Sequence, residues 1–110
     1  MAETNYCSVY ITASCLREAK KISRTLVKSR MAACANIFKI SSIYRWKGKI
    51  EESPEYGIIL KTKKSLVREI ITAVRKMHSY EVPCIVRWDI AEGNMDYLKW
   101  IGMETCDTLH

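Results

Sequence analysis

Tyr6-Cys7-Ser8-Val9-Tyr10-Ile11-Thr12-Ala13-Ser14-Cys15-Leu16 is the stretch on which the fold turns. Cys7, Val9, Ile11 and Ala13 alternate with Tyr6, Ser8, Tyr10 and Thr12, and a period of two gives a strand with one buried face. The period then changes. Leu16, Ala19, Ile22 and Leu26 recur at three and four, the stripe of an amphipathic helix. Ser14 stands where a hydroxyl can cap that helix by accepting an orphan N–H of its first turn. Lys20, Lys21, Arg24 and Lys28 cover the other side, and Arg30 suits the C-terminal end of the helix dipole.

Further along, Ala35 to Ile50 is rich in Ile and aromatic residues and is interrupted by Lys47-Gly48, which predicts a tight turn between two strands. Residues 51–55 are acidic and contain Pro54, so a bulge or an irregular start is expected there. Tyr56 to Thr62 resumes a strand, with Ile58-Ile59-Leu60 buried on both faces or nearly so. Ser65 is placed to cap a second helix, whose apolar stripe is Leu66, Ile70, Val74 and Met77. Val82, Cys84, Val86, Trp88 and Ile90 alternate as a fourth strand. Asn94 caps a short last helix, and Gly102 sits where its C-terminal stop belongs.

Strand, helix, strand, strand, helix, strand and tail helix make an α+β domain of the ferredoxin-like, split βαβ kind: an antiparallel sheet with two helices on one face. Right-handed crossovers are expected to bring the first and last strands to the middle of that sheet. The hairpin strands around Gly48 exceed the length the helices can cover. An edge carrying Ile43, Tyr44 and Trp46 needs another chain over it, so an oligomer is expected.

The chain has 110 residues, enough for a single domain. Hydrophobic residues at 48% and charged residues at 27% argue against disorder. The longest apolar run, Met31 to Ala35, spans five residues, so no membrane span is expected. Met1-Ala2-Glu3-Thr4 has neither a basic start nor an apolar segment, which argues against a secretory signal and for a cytoplasmic protein. Five Cys cannot all pair within one chain, and none lies in a CxxC spacing. Free thiols are ordinary in a reducing compartment. The net charge of +6 is concentrated in residues 14–50, with ten basic side chains against one acidic. A solvated helix face accounts for that excess. Neither the first nor the fourth strand carries the aromatic pattern of an RNA-recognition domain, so no nucleic-acid partner is expected.

Two residues suit metal ligation. Cys34 offers a soft thiolate and His78 an imidazole, 44 residues apart. Each also has an ordinary reading: Cys34 as packing in a small-residue run, His78 as a stabiliser of a helix end. Thiol catalysis is not supported, because Ala33 and Ala35 flank Cys34 without a charge to lower its pKa. Glu51, Glu52 and Glu55 read as a solvated acidic loop. Lys61, Lys63 and Lys64 could face a phosphate, or simply mark a strand end before a helix. No pattern of an enzyme emerges.

Taken jointly, five blocks resemble the CutA family of divalent-cation tolerance proteins. They are Ala32-Ala33-Cys34-Ala35-Asn36-Ile37, Ser42-Ile43-Tyr44-Arg45-Trp46-Lys47-Gly48-Lys49-Ile50-Glu51, Leu60-Lys61-Thr62, His78-Ser79-Tyr80-Glu81-Val82-Pro83 and Gly93-Asn94-Met95-Asp96-Tyr97-Leu98-Lys99-Trp100. The match spans about residues 5–101 of a single CutA-like domain, 1–110. The resemblance implies a ferredoxin-like subunit in a tight homotrimer similar in assembly to the P-II proteins, with hairpin strands pairing across subunits. It also implies binding of divalent cations, copper above all, with no established reaction. It makes Cys34 and His78 copper ligands of a weak site not required for folding, with a further partner from Cys84 or a neighbouring subunit. A third family position, a Cys, falls on Ile11, and the family's Pro between His and Tyr is Ser79. Trp46, Lys61, Tyr80 and Glu81 are expected to share an inter-subunit pocket. A P-II-like sensor of a small anion or nucleotide, and a trimeric scaffold for another protein, are the alternative roles.

Overall fold

A computed structural model describes residues 4–106. Its elements are β1 (Tyr6–Ala13), α1 (Leu16–Lys28), β2 (Cys34–Trp46), β3 (Lys49–Lys63), a 3-10 turn (Lys64–Leu66), α2 (Val67–Met77), β4 (Ile85–Asp89) and α3 (Met95–Glu104). The alternation in β1 is realised in full. Cys7, Val9, Ile11 and Ala13 are buried beneath Ala19, Ile22 and Leu26 of α1 and Ile70 and Val74 of α2, together with Ile58 and Leu60 of β3. Ile59, between the last two, is half-buried on the opposite face. Leu16 begins the α1 stripe yet is 40% exposed.

The sheet is antiparallel throughout, in the order β2-β3-β1-β4. β3 and β1 therefore occupy the middle, and β4 lies at an edge, contrary to the expectation from crossover handedness alone. Each βαβ crossover skips one strand position. β3 fills the gap between β1 and β2, and β1 fills the gap between β3 and β4.

Local chemistry shifted several boundaries. Pro54 neither bulges nor breaks β3; it pairs opposite Ser41 within a continuous ladder, on a stretch with no third strand beyond it. β4 begins only at Ile85, so Val82 and Cys84 lie in the loop before it. Ser65 falls inside the 3-10 turn, and α2 starts after Leu66. Cys15, not Ser14, is the N-cap residue of α1. Asn94 does cap α3, its Oδ1 accepting from the Asp96 N–H at 3.1 Å. Gly102 lies within α3 rather than after it.

Lys47 (φ 49°) and Gly48 (φ 82°) form the two-residue turn, with both central residues left-handed as the right-handed twist of a hairpin requires. From it β2 and β3 pair back as far as Cys34 and Lys61, whereas β1 pairs with β3 only from Ala13↔Tyr56 onward. Residues 41–54 thus project as a two-stranded arm about 20 Å long. Its Ile43 is 70% exposed and Ile50 59% exposed.

The face of the sheet away from α1 and α2 carries a row of aromatic rings. Phe38 and Tyr10 lie 6.4 Å apart, and Tyr10 and Trp88 5.1 Å apart, both pairs stacked. Phe38 reaches this row by lying across Gly57, where an added Cβ would stand 2.6 Å from the ring. Gly57→Ala should therefore destabilise the fold by about 1–3 kcal/mol, seen as a lower urea midpoint. In a Phe38→Ala background the same change should cost far less, because the clash partner is gone.

Candidate functional site

The two ends of the open sheet face are finished differently. At the Tyr6 end α3 packs down through Leu98 and Ile101 onto Ala33, Tyr6 and Ile90. Cys34, the first residue of β2, is half-buried there, with its Sγ 3.4 Å from the Tyr97 hydroxyl. That contact, with burial added, pushes the Tyr97 phenol up to about 12. Lys61 pairs opposite Cys34 in the ladder and donates to Asn36 Oδ1 at 2.9 Å.

At the Thr12 end the loop after α2 is tied down by His78 and Glu18. The His78 side chain is fully buried. Its Nδ1 accepts the Tyr80 N–H at 3.0 Å, which leaves Nε2–H to donate to the Thr12 carbonyl at 2.8 Å. Glu18 projects from the first turn of α1. Its Oε1 accepts from the Ser14 N–H (3.0 Å) and hydroxyl (2.8 Å), and the same carboxylate accepts the Ser79 N–H (2.7 Å) and hydroxyl (3.0 Å). Burial pushes this carboxyl upward, but the four hydrogen bonds to its charged form outweigh that and hold it at about 2.

Beyond the latch, the Tyr80 hydroxyl donates to Glu55 Oε2 at 2.5 Å, and Glu55 is only 6% exposed. Its face of β3 continues through Gly57 and Ile59, so the solvated acidic loop expected at 51–55 is, at its last residue, a buried carboxylate. Burial first, and then the charge and hydrogen bond of Glu55, raise the Tyr80 phenol. Between this loop and the arm lies a cavity of about 740 Å³, lined among others by Trp46, Tyr80, Glu81, Glu55 and Cys84. Burial, with Glu55 nearby, pushes the Cys84 thiol up.

Of the residues expected to share an inter-subunit pocket, Trp46, Tyr80 and Glu81 line this cavity of the single chain, and Lys61 of the same chain lies at the Cys34 end. Cys34 and His78 are not brought together within one chain. Cys34 is level with Lys61 and so with Ser8, whereas His78 holds Thr12, four residues or about 13 Å along β1. His78 has no ring nitrogen to spare, so it does not fit a metal in this arrangement. Ile11, the position of the family's third Cys, is fully buried core. Cys15 is exposed at the α1 N-cap, where the Glu18 N–H and the Ser14 hydroxyl lower its thiol pKa. Among the described residues no group of three or more His, Cys, Asp or Glu side chains could hold a metal ion, and no helix is long and apolar enough to cross a membrane.

The sequence reading passed over Glu18 and placed Glu55 in a solvated loop. The available signal for Glu18 is a carboxylate in the first turn of a helix, within reach of the free N–H and hydroxyl groups before it.

An antiparallel four-stranded sheet with α1 and α2 on one face defines a ferredoxin-like α+β domain, and the arm and latched loop make it a distinctive one. The profile of the CutA1 divalent ion tolerance protein family matches residues 7–104, and the chain belongs to that family. The divalent-cation tolerance protein CutA of Pyrococcus horikoshii is 44% identical over 97 residues, 88% of this chain and 95% of that protein. Protein CutA of Homo sapiens is 40% identical over 99 residues, 89% of this chain and 55% of that protein. The solved structure of the periplasmic divalent cation tolerance protein CutA from Archaeoglobus fulgidus superimposes with a TM-score of 0.89 at 40% identity, covering 90% of this chain and 97% of that one.

The lowered Glu18 pKa sets a pH window. Its stabilisation is fully present above the unfolded value of 4.5 and is lost as pH falls toward about 2. Glu18→Gln should lower stability at neutral pH and flatten the loss between those limits, as followed by urea titrations at stepped pH.

Proposed function

We propose that this chain acts as a cytoplasmic homotrimer that binds soft or divalent cations, copper foremost, and serves metal-ion tolerance rather than catalysis. Membership of a divalent ion tolerance family supports the role. The observation that carries the residue assignment is Cys34, a half-buried thiol on the uncovered sheet face whose hydrogen-bond partner is the Tyr97 phenol. A thiolate there is a soft donor, and the usual affinity order favours copper over zinc. His78 is assigned to the loop latch instead, so further donors come from a neighbouring subunit or from added solvent ligands. The exposed arm and the aromatic row on the open face support self-assembly, since each leaves apolar surface in water. The free thiols of Cys7, Cys15, Cys34 and Cys84 suit a reducing compartment.

The effector-sensor reading, with an anion or nucleotide in the cleft, finds no cation in the part of the lining that one chain supplies, so a neighbouring subunit would have to provide it. The scaffold reading has no specific feature in its favour.

Calorimetry with copper should show binding that Cys34→Ala weakens about tenfold or more and His78→Gln leaves unchanged, while His78→Gln lowers the melting temperature. Equal affinity in wild type and Cys34→Ala would remove the Cys34 assignment. Sedimentation should give three times the chain mass of 12.7 kDa, and a melting temperature that rises with protein concentration.

A further inference from the structure

We propose that the outward face of α1 is a docking surface for inorganic polyphosphate. The proposal is independent of the metal reading, which rests on Cys34. The face lies on the side of the sheet away from the aromatic row, so assembly through that row leaves it in water. Arg17, Lys20, Lys21, Arg24 and Lys28 are all exposed on it. Around the helix axis they fall within an arc of about 100°, opposite the buried Ala19, Ile22 and Leu26, and they make a cationic ridge about 16 Å long. α2, in the same layer, adds the exposed Arg68, Arg75 and Lys76.

The ridge is not balanced by its own chain. Among the described residues none of its five cations is in an ion pair. The carboxylates of the two helices, Glu18 and Glu69, are half-buried, and Glu18 is committed to Ser14 and Ser79. Lys20, Lys21 and Lys28 each stand three or four residues from Arg24, a spacing at which like charges repel. Arg17 stands in the first turn, the end at which the helix dipole disfavours a cation. Both placements work against the helix by itself, and a polyanion laid along the ridge offsets both.

What the ridge lacks selects its occupant. α1 spends its apolar stripe on the core and exposes only Leu16 and Val27, near its two ends. An anionic membrane would therefore find no apolar face to bury. Neither α1 nor α2 contains an aromatic residue, so the bases of a single-stranded nucleic acid would have nothing to stack on. An acidic protein segment would find no aromatic anchor of the kind that carries interface energy. Polyphosphate needs none of these. It bears charge on every phosphorus of a flexible chain, and a line of cations binds such a chain by releasing its counterions.

A medium-chain polyphosphate is titrated into the assembled, ¹⁵N-labelled protein, with EDTA present so that no metal ion bridges the two. The expected result is a micromolar or tighter Kd at about 50 mM salt that weakens at least about tenfold by about 200 mM, with amide shifts along α1. Orthophosphate, oligo-dT and polyglutamate of matched charge, and vesicles of phosphatidylserine and phosphatidylcholine should each bind at least about tenfold more weakly. Lys21→Gln with Arg24→Gln, which keeps the helix propensity of both positions, should weaken polyphosphate at least about fivefold. Lys39→Gln with Lys99→Gln, an equal change of charge at exposed positions off α1 and α2, should weaken it about twofold or less. No polyphosphate binding, binding indifferent to salt, shifts confined to residues outside α1, equal losses in the two double variants, or any competitor bound as tightly would each overturn the proposal.

Discussion

β3 must serve two partners of unequal length, and the rest of the molecule follows from how it does so. On one side β1 offers eight residues; on the other β2 offers thirteen. Where both partners are present, β3 is a central strand, covered by α1 and α2 through Ile58 and Leu60. Where only β2 remains, the same strand becomes half of a free arm. The change occurs near Tyr56, beside the buried Glu55. A carboxylate can be kept there because the sheet is giving way to a cavity, and Tyr80 reaches across to it from the far loop.

The latch of Glu18, His78 and Ser79 sets where that loop stands. Its long-range hydrogen bonds lie outside helix and ladder: His78 ties the segment after α2 to β1, and Ser79 ties it to α1 through Glu18. Such bonds fix position rather than add secondary structure. The Tyr80 ring packs on the His78 ring, 4.7 Å between centroids, so the placement of His78 passes directly to the wall of the cavity. His78 thus differs in kind from Cys34, whose Sγ meets a side-chain hydroxyl, that of Tyr97, rather than backbone groups.

Periodicity made most of the fold legible. Alternation gave β1 and the helix-covered side of β3, three-and-four spacing gave both long helices, and Lys47-Gly48 gave the turn. What periodicity does not encode is which strands become neighbours, and the order β2-β3-β1-β4 had to come from three-dimensional packing of the crossovers. Pro54 misled for a related reason: its missing N–H matters in a central strand and not where the ladder has one partner. Gly102 was read as a stop by residue type alone, whereas its backbone lies against the Tyr6 hydroxyl inside α3. At the site, the family resemblance grouped Trp46, Tyr80 and Glu81, which line one cavity of the chain. Periodicity does not show that Lys61 of the same chain lies at the other end of the sheet, or that His78 spends both ring nitrogens on backbone groups.

The turn at Lys47 and Gly48 has a kinetic consequence. It joins Trp46 to Lys49 across two residues, so the arm closes with little loop entropy, on the microsecond scale of an isolated hairpin. β4 pairs with β1 across more than seventy residues, from Ile11↔Ile85 outward, and must wait for most of the chain. Local closure thus favours the arm's pairing ahead of the sheet that anchors it, although a lone hairpin is only marginally stable. During that interval Ile43 sits opposite Glu52, Tyr44 opposite Glu51 and Ile50 opposite Arg45. Charges placed rung by rung along a young hairpin oppose its pairing with a second copy in the wrong register, and the arm reaches the finished fold with its edge still unspent.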